Sequence, residues 1–136
     1  MIQPIMKDVL FLAQPSEPAA QADLPVARDL MDTLTAHQNE CVGMAANMIG
    51  VKKRIIIVSL GIGQMVMFNP VIVSQKGAYE TEEGCLSLVG KRKTQRYQEI
   101  DVQYQDMGWK TQKHRFTGYT AQIIQHEIDH CNGIII

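Results

Sequence analysis

The stretch QHEIDHCNG, residues 125–133, decides how the rest of the chain is read. Two histidines stand four residues apart, so on a helix His126 and His130 share one face, with Glu127 directly after the first of them. That spacing lets two imidazoles reach one metal ion and keeps a carboxylate beside it as a base. The residues from about Thr117 to Cys131 read as the helix itself, and Asn132 and Gly133 supply its stop. Two imidazoles do not complete a site, so a third ligand has to be found elsewhere in the sequence.

Zinc proteases with a His-Glu-x-x-His helix take that ligand from downstream, as a histidine shortly after a glycine or as a more distant glutamate. Here Gly133 is present, but Ile136 stands where the histidine would be, and no downstream glutamate follows. The ligand is therefore expected upstream. Cys131 adjoins His130 but lies about 100° further around the helix, out of reach of the same ion. Cys85, in EEGCLSLVG (82–90), is better placed, because a Gly-Cys turn between strands brings a thiolate to a helix packed across the sheet. Cys85, His126 and His130 leave a fourth position for water, the mark of a catalytic rather than a structural site. In such a site the metal polarises a carbonyl and acidifies water, while Glu127 takes up a proton and returns it. At this level a metalloprotease of another type stays open, and metal bound independently of Cys85 would favour it.

Working outward, Val26, Ala27, Leu30, Met31 and Leu34 recur at helical spacing after Asp23 and Pro25, giving an amphipathic helix to about His37. RIIIVSL (54–60) and QMVMFNPVIV (64–73) flank GIG and read as a hairpin that breaks at Pro70. Ile100, Val102 and Tyr104 alternate with polar residues as a half-buried strand, and DMGW (106–109) turns into KTQKHRF (110–116). The final GIII reads as a short strand. Strands clustered between two helices imply an α+β fold, with a mostly antiparallel sheet packed on the C-terminal metal-binding helix, in one domain spanning 1–136.

Composition narrows the function. With 136 residues, 46% of them hydrophobic and 20% charged, the chain suits a single core. A net charge of -1 gives no electrostatic reason to expect direct nucleic-acid recognition or an anionic membrane, and Lys91–Lys93 is too short a basic run to make a patch. No apolar run approaches the roughly 20 residues that span a bilayer, and the first residues lack a signal-peptide pattern, so the expected location is cytoplasmic. Three cysteines are an odd number, which argues against a disulfide framework and for ligating or reactive thiols.

Taken together, EGCLS (83–87) and QHEIDH (125–130) resemble the two metal-binding motifs of peptide deformylase, which removes the formyl group from the N-terminal methionine of nascent chains. A third motif of that family, Gly-x-Gly-x-Ala-Ala-x-Gln, aligns with CVGMAANM (41–48), and the similarity runs through Arg96 and the turn at Asp106–Gly108. The resemblance implies that Cys85, His126 and His130 hold the metal, usually iron(II), with nickel, cobalt or zinc in purified forms. It implies that Glu127 is the general acid and base and that the backbone N–H of Leu86 donates to the oxyanion. Val42, Gly43 and Met44 would line the cleft, the strand at Gly43 would pair with an extended formylmethionyl peptide, and Arg96 would belong to the substrate site. A nascent chain as substrate also implies work in the cytoplasm close to the ribosome.

Two positions depart from the family. Cys41 stands at the leading glycine, and Met48 stands at the glutamine that donates a hydrogen bond to the formyl oxygen. A thioether has no proton to donate, and the loss of one oxyanion donor costs about 2.7 to 4 kcal/mol, roughly 10²- to 10³-fold in turnover. Gln122, one turn before His126 at a position expected to be apolar in the family, is the candidate replacement donor. Two functions follow: a deformylase of reduced activity, or a noncatalytic relative that keeps the metal and the peptide groove.

Overall fold

A computed structural model describes residues 1–135. Its centre is IIIVS, Ile55–Ser59, the strand β2. Four consecutive apolar residues are buried there, since Ile55 and Ile57 face one cluster and Ile56 and Val58 face another. A strand covered on both faces needs no polar alternation. On one side packs α2 (Leu24–Ala36) through Ala27, Leu30 and Leu34, and on the other packs α3 (Gly118–Cys131) through Ala121, Ile124 and Ile128.

The sheet is antiparallel throughout, ordered β1-β2-β3-β4-β5, with β1 at Gly43–Ala45, β3 at Gln64–Cys85, β4 at Leu88–Gln105 and β5 at Thr111–Thr117. The α+β architecture expected from the sequence is the one found. The GIG turn closes the β2–β3 hairpin, where Leu60 N–H donates to the Gly63 carbonyl at 2.7 Å. A short α1 (Val9–Leu12) and two 3₁₀ turns, Gln21–Asp23 and Ala46–Ile49, complete the described elements.

Three expectations need correction. Pro70 does not end its strand: β3 continues to Cys85, and a register shift between Phe68 and Val71 absorbs the proline. Asn69 makes this possible by adopting a left-handed backbone, φ 53°, with its side-chain oxygen accepting from Ala19 N–H at 2.7 Å. Secondly, β3 and β4 reach far beyond their apolar parts as a polar two-stranded arm that pairs Lys76 with Glu99 through to Cys85 with Leu88. Thirdly, the C-terminal GIII is not a strand in its described part, Gly133 to Ile135, and Ile136 lies outside the described residues. Gly133, at φ 74°, ends α3 and lets Ile134 N–H reach back to the Asp129 carbonyl at 2.9 Å.

Gly133 is also wedged against the N-terminal segment, where an added Cβ would lie 2.6 Å from the Ala13 carbonyl oxygen and 2.8 Å from the Gln14 carbonyl carbon. Backbone on both sides cannot give way easily. Gly133→Ala is expected to cost about 2 kcal/mol or more through the left-handed strain and this clash together, measured as a lower urea midpoint with an unchanged slope.

Candidate metal centre and peptide cleft

The two elements that carry the site meet at the end of the polar arm. β3 delivers Cys85 just before the Leu86–Ser87 turn, and α3 delivers His126 and His130 on the face turned toward it. One ligand atom from each of the three residues falls within 4.8 Å of the others. The imidazoles are tilted, with ring centroids 4.8 Å apart and their Nε2 atoms 3.1 Å apart.

Hydrogen bonding settles which histidine nitrogen is available. His126 Nδ1 lies 2.8 Å from Glu83 Oε1, so Nδ1–H donates to the carboxylate and Nε2 is the nitrogen turned toward His130 Nε2. A carboxylate behind an imidazole fixes the ring and raises its basicity as a ligand. Two imidazole nitrogens and a cysteine sulfur converging at this distance, once they give up their protons, are the donor set of a mononuclear transition-metal site with an open position.

Glu83 is itself held strongly. Arg96 donates through Nη2 at 2.6 Å and Nε at 3.0 Å, and Gln122 Nε2 donates to Oε2 at 2.9 Å. Burial would raise the pKa of this carboxyl, yet the hydrogen bonds from His126, Arg96 and Gln122 outweigh it and hold the pKa down at about 2. Arg96 also reaches Asp129 Oδ2 at 2.6 Å, so a buried ion network joins β3, β4 and α3 behind the ligands. Among the residues expected in the substrate site, Arg96 is thus turned away from the cleft, buried by two carboxylates that must be neutralised.

The cleft holds about 840 Å³ and is bordered by Val42, Gly43, Met48, Leu86, Gln122 and Glu127, among others. Met44 is not on its wall: alternation along β1 turns the side chain inward, where it is fully buried against α2 and β2. Gly43 runs so close to the helix that a Cβ there would sit 2.7 Å from Ile123 Cγ2 and 2.9 Å from Glu127 Oε2. Since Ser59 N–H donates to the Val42 carbonyl, Val42 faces β2 and the peptide groups of Gly43 face the free edge of the sheet. The Gly43 carbonyl already accepts the Cys41 thiol at 2.9 Å. Burial first, then the Glu127 carboxylate, pushes the Cys41 thiol up to about 12, which makes it a packed donor and not a reactive sulfur. Cys131 is likewise buried and its thiol pushed up to about 12.

Met48 is fully buried beside the cleft, and its sulfur accepts from Ala45 N–H at 3.5 Å. It therefore acts as an acceptor here. Gln122 gives one N–H of its amide to Glu83 Oε2. Glu83 and Asp129 are the members of the site given no role by the sequence reading, although both lie within the quoted motifs.

A buried carboxylate next to a Cys-His-His cluster, beside an open sheet edge, defines the site of a metal-dependent hydrolase acting on an extended chain. A profile of the polypeptide deformylase family matches residues 2–136. Peptide deformylase from Clostridium beijerinckii is 57% identical over the full length of both chains. Among solved structures, a peptide deformylase from Legionella pneumophila is similar with a TM-score of 0.88 and 31% identity, covering 99% of this chain and 83% of that one. A class I type b peptide deformylase from Acinetobacter baumannii, with Met-Ala-Ser bound, gives 0.88 and 28% over 99% and 97% of the two chains. The chain belongs to the peptide deformylase family, whose members are metal-dependent hydrolases.

Glu127 is the group whose proton affinity the fold alters most usefully. Burial raises its pKa from an ordinary 4.5 to about 7, against the opposing pull of His126, and its Oε1 has no partner among the described residues. A raised carboxyl pKa means that the folded chain holds the proton more tightly than the unfolded one, so stability from this group is lost as pH rises from about 4.5 to about 7. In metal-free protein, Glu127→Gln should be near neutral at pH 5 and stabilising by about 3 kcal/mol at pH 8. Urea unfolding at the two pH values checks this, and a pH-independent difference contradicts it.

Proposed function

We propose that this chain, as a single domain of residues 1–136, removes the formyl group from N-formylmethionine at the start of nascent polypeptides in the cytoplasm, close to the ribosome. Cys85, His126 and His130 hold the metal, with iron(II) as the native ion and nickel, cobalt or zinc able to take its place. The observation that carries the reading is the convergence of these three ligand atoms beside buried Glu127, in a cleft that opens on the edge of β1.

The chemistry a divalent ion supplies in such a site is polarisation of the formyl carbonyl and a lowered pKa of water. The chain's residues do the rest. The exposed peptide groups of Gly43, with Val42 alongside, align the substrate as an added strand. Glu127, with its pKa near neutrality, takes a proton from the attacking water and returns it to the leaving amine, so formate and a free methionyl N-terminus result. Leu86 N–H donates to the developing oxyanion beside Cys85. Arg96 has a structural part in this scheme: it neutralises Glu83 and Asp129 and so fixes His126.

Met48 sets the rate. Its sulfur offers no second oxyanion donor, and the Gln122 amide is held against Glu83 by one N–H, so turnover is reduced from what the site would otherwise give. Formate release from a formylmethionyl peptide should rise by about 10²- to 10³-fold in Met48→Gln, with anaerobic iron(II)-loaded protein. A native protein already working at ordinary enzyme rates, with no gain in the variant, contradicts the role given to Met48. Peptide bound tightly by a native protein that releases no formate would favour the second reading, a deformylase-like binder of formylated N-termini, which the acceptor geometry of Met48 supports.

A further inference from the structure

Gln122 remains without a function in the scheme above, although its place is unusual. It lies half-buried on the cleft wall one turn before His126, and its amide nitrogen donates to Glu83 Oε2 at 2.9 Å. The other carboxylate oxygen, Oε1, accepts from His126 Nδ1 at 2.8 Å and from Arg96 Nη2 at 2.6 Å. For Oε2 the protein partners are Gln122 and the Arg96 Nε–H, which that oxygen shares with Oε1 at 3.0 and 3.2 Å. Gln122 is therefore the donor on the solvent side of the carboxylate, between it and the water of the cleft.

We infer that Gln122 is a positioning residue for the metal centre: by closing the open side of Glu83 it keeps that carboxylate aligned with His126 and slows loss of the metal. This rests on the reading of Cys85, His126 and His130 as ligands. The physical reason is geometric. A carboxylate with one oxygen held only by a shared N–H turns more readily about its Cγ–Cδ bond than one whose two oxygens each have a donor of their own. The imidazole that donates to Oε1 takes its direction from the carboxylate, and so does its Nε2. An apolar residue at 122 would leave Oε2 with only the Arg96 Nε–H that it shares with Oε1, and cleft water could then draw that oxygen round and turn Glu83 from His126.

The test uses the full chain loaded with zinc. Release of zinc to excess chelator is followed for the native protein, Gln122→Leu, which keeps the bulk and removes the donor, and Gln122→Glu, which keeps the shape and sets a second carboxylate against Oε2. Removing groups that directly support a metal-bound imidazole weakens binding by about 10- to 100-fold. One bond further out, Gln122→Leu is expected to speed release by about fivefold to tenfold, and Gln122→Glu by at least as much. The His126 Nδ1–H proton resonance should exchange faster with water in Gln122→Leu, a change that lost packing alone does not produce.

Release at the native rate in both variants, with the Nδ1–H resonance unchanged, overturns the inference. If Gln122→Glu fails to fold, Gln122→Leu decides the matter alone. A native chain that holds no zinc overturns this inference and the metal-site reading together, whereas zinc held by the native chain and released unchanged by Gln122→Leu overturns only this one.

Discussion

The Glu83 carboxylate is the joint on which the site is built. It sits 8% exposed between Arg96 of β4 and His126 of α3, two residues before Cys85 on β3. Burying a carboxylate without partners is prohibitive, so the charge demands Arg96, and Arg96 in turn reaches Asp129 one helical turn beyond Gln125. Breaking such a network at one member typically costs 3–5 kcal/mol, because the remaining charges stay buried. The polar arm of β3 and β4 and the last helix are thereby locked to one another at the point where the thiol and the two imidazoles must meet.

With that joint in place, the cleft follows from two further constraints. Gly43 has no room for a side chain against Ile123 and Glu127, so the edge strand passes within contact distance of the base. Glu127 is buried but has no hydrogen-bond partner for Oε1, which raises its pKa toward neutrality and leaves it able to accept a proton from something in the cleft. The open sheet edge and the near-neutral carboxyl are thus brought together within a few ångströms. Three more residues fall on this wall: Cys41 caps the Gly43 carbonyl, Met48 turns an acceptor toward Ala45, and Gln122 faces Glu83.

Much of this was legible in the sequence where local rules and tertiary structure agree. The His126–His130 spacing, the helix stop at Gly133 and the doubly buried Ile55–Val58 run each follow from periodicity and turn chemistry. Cys85 was reachable because only an upstream residue remained to complete the ligand set. The long arm was not legible, since Gln75 to Lys93 carry polar side chains on both faces and owe their strand conformation to pairing across the hairpin. Pro70 misled for a related reason: a register shift, made possible by the left-handed Asn69, carries the strand through a residue that normally ends one. The direction of the Gln122 amide and the burial of Arg96 depend on contacts between residues tens of positions apart, and no local pattern announces them.

If a strand-end cysteine and two helix imidazoles share one ion, X-ray absorption of the zinc-loaded chain will show it. One sulfur at about 2.3 Å and two nitrogens at about 2.0–2.1 Å are expected, with the sulfur contribution lost in Cys85→Ser. A first shell of nitrogen and oxygen only, identical in Cys85→Ser, would contradict it.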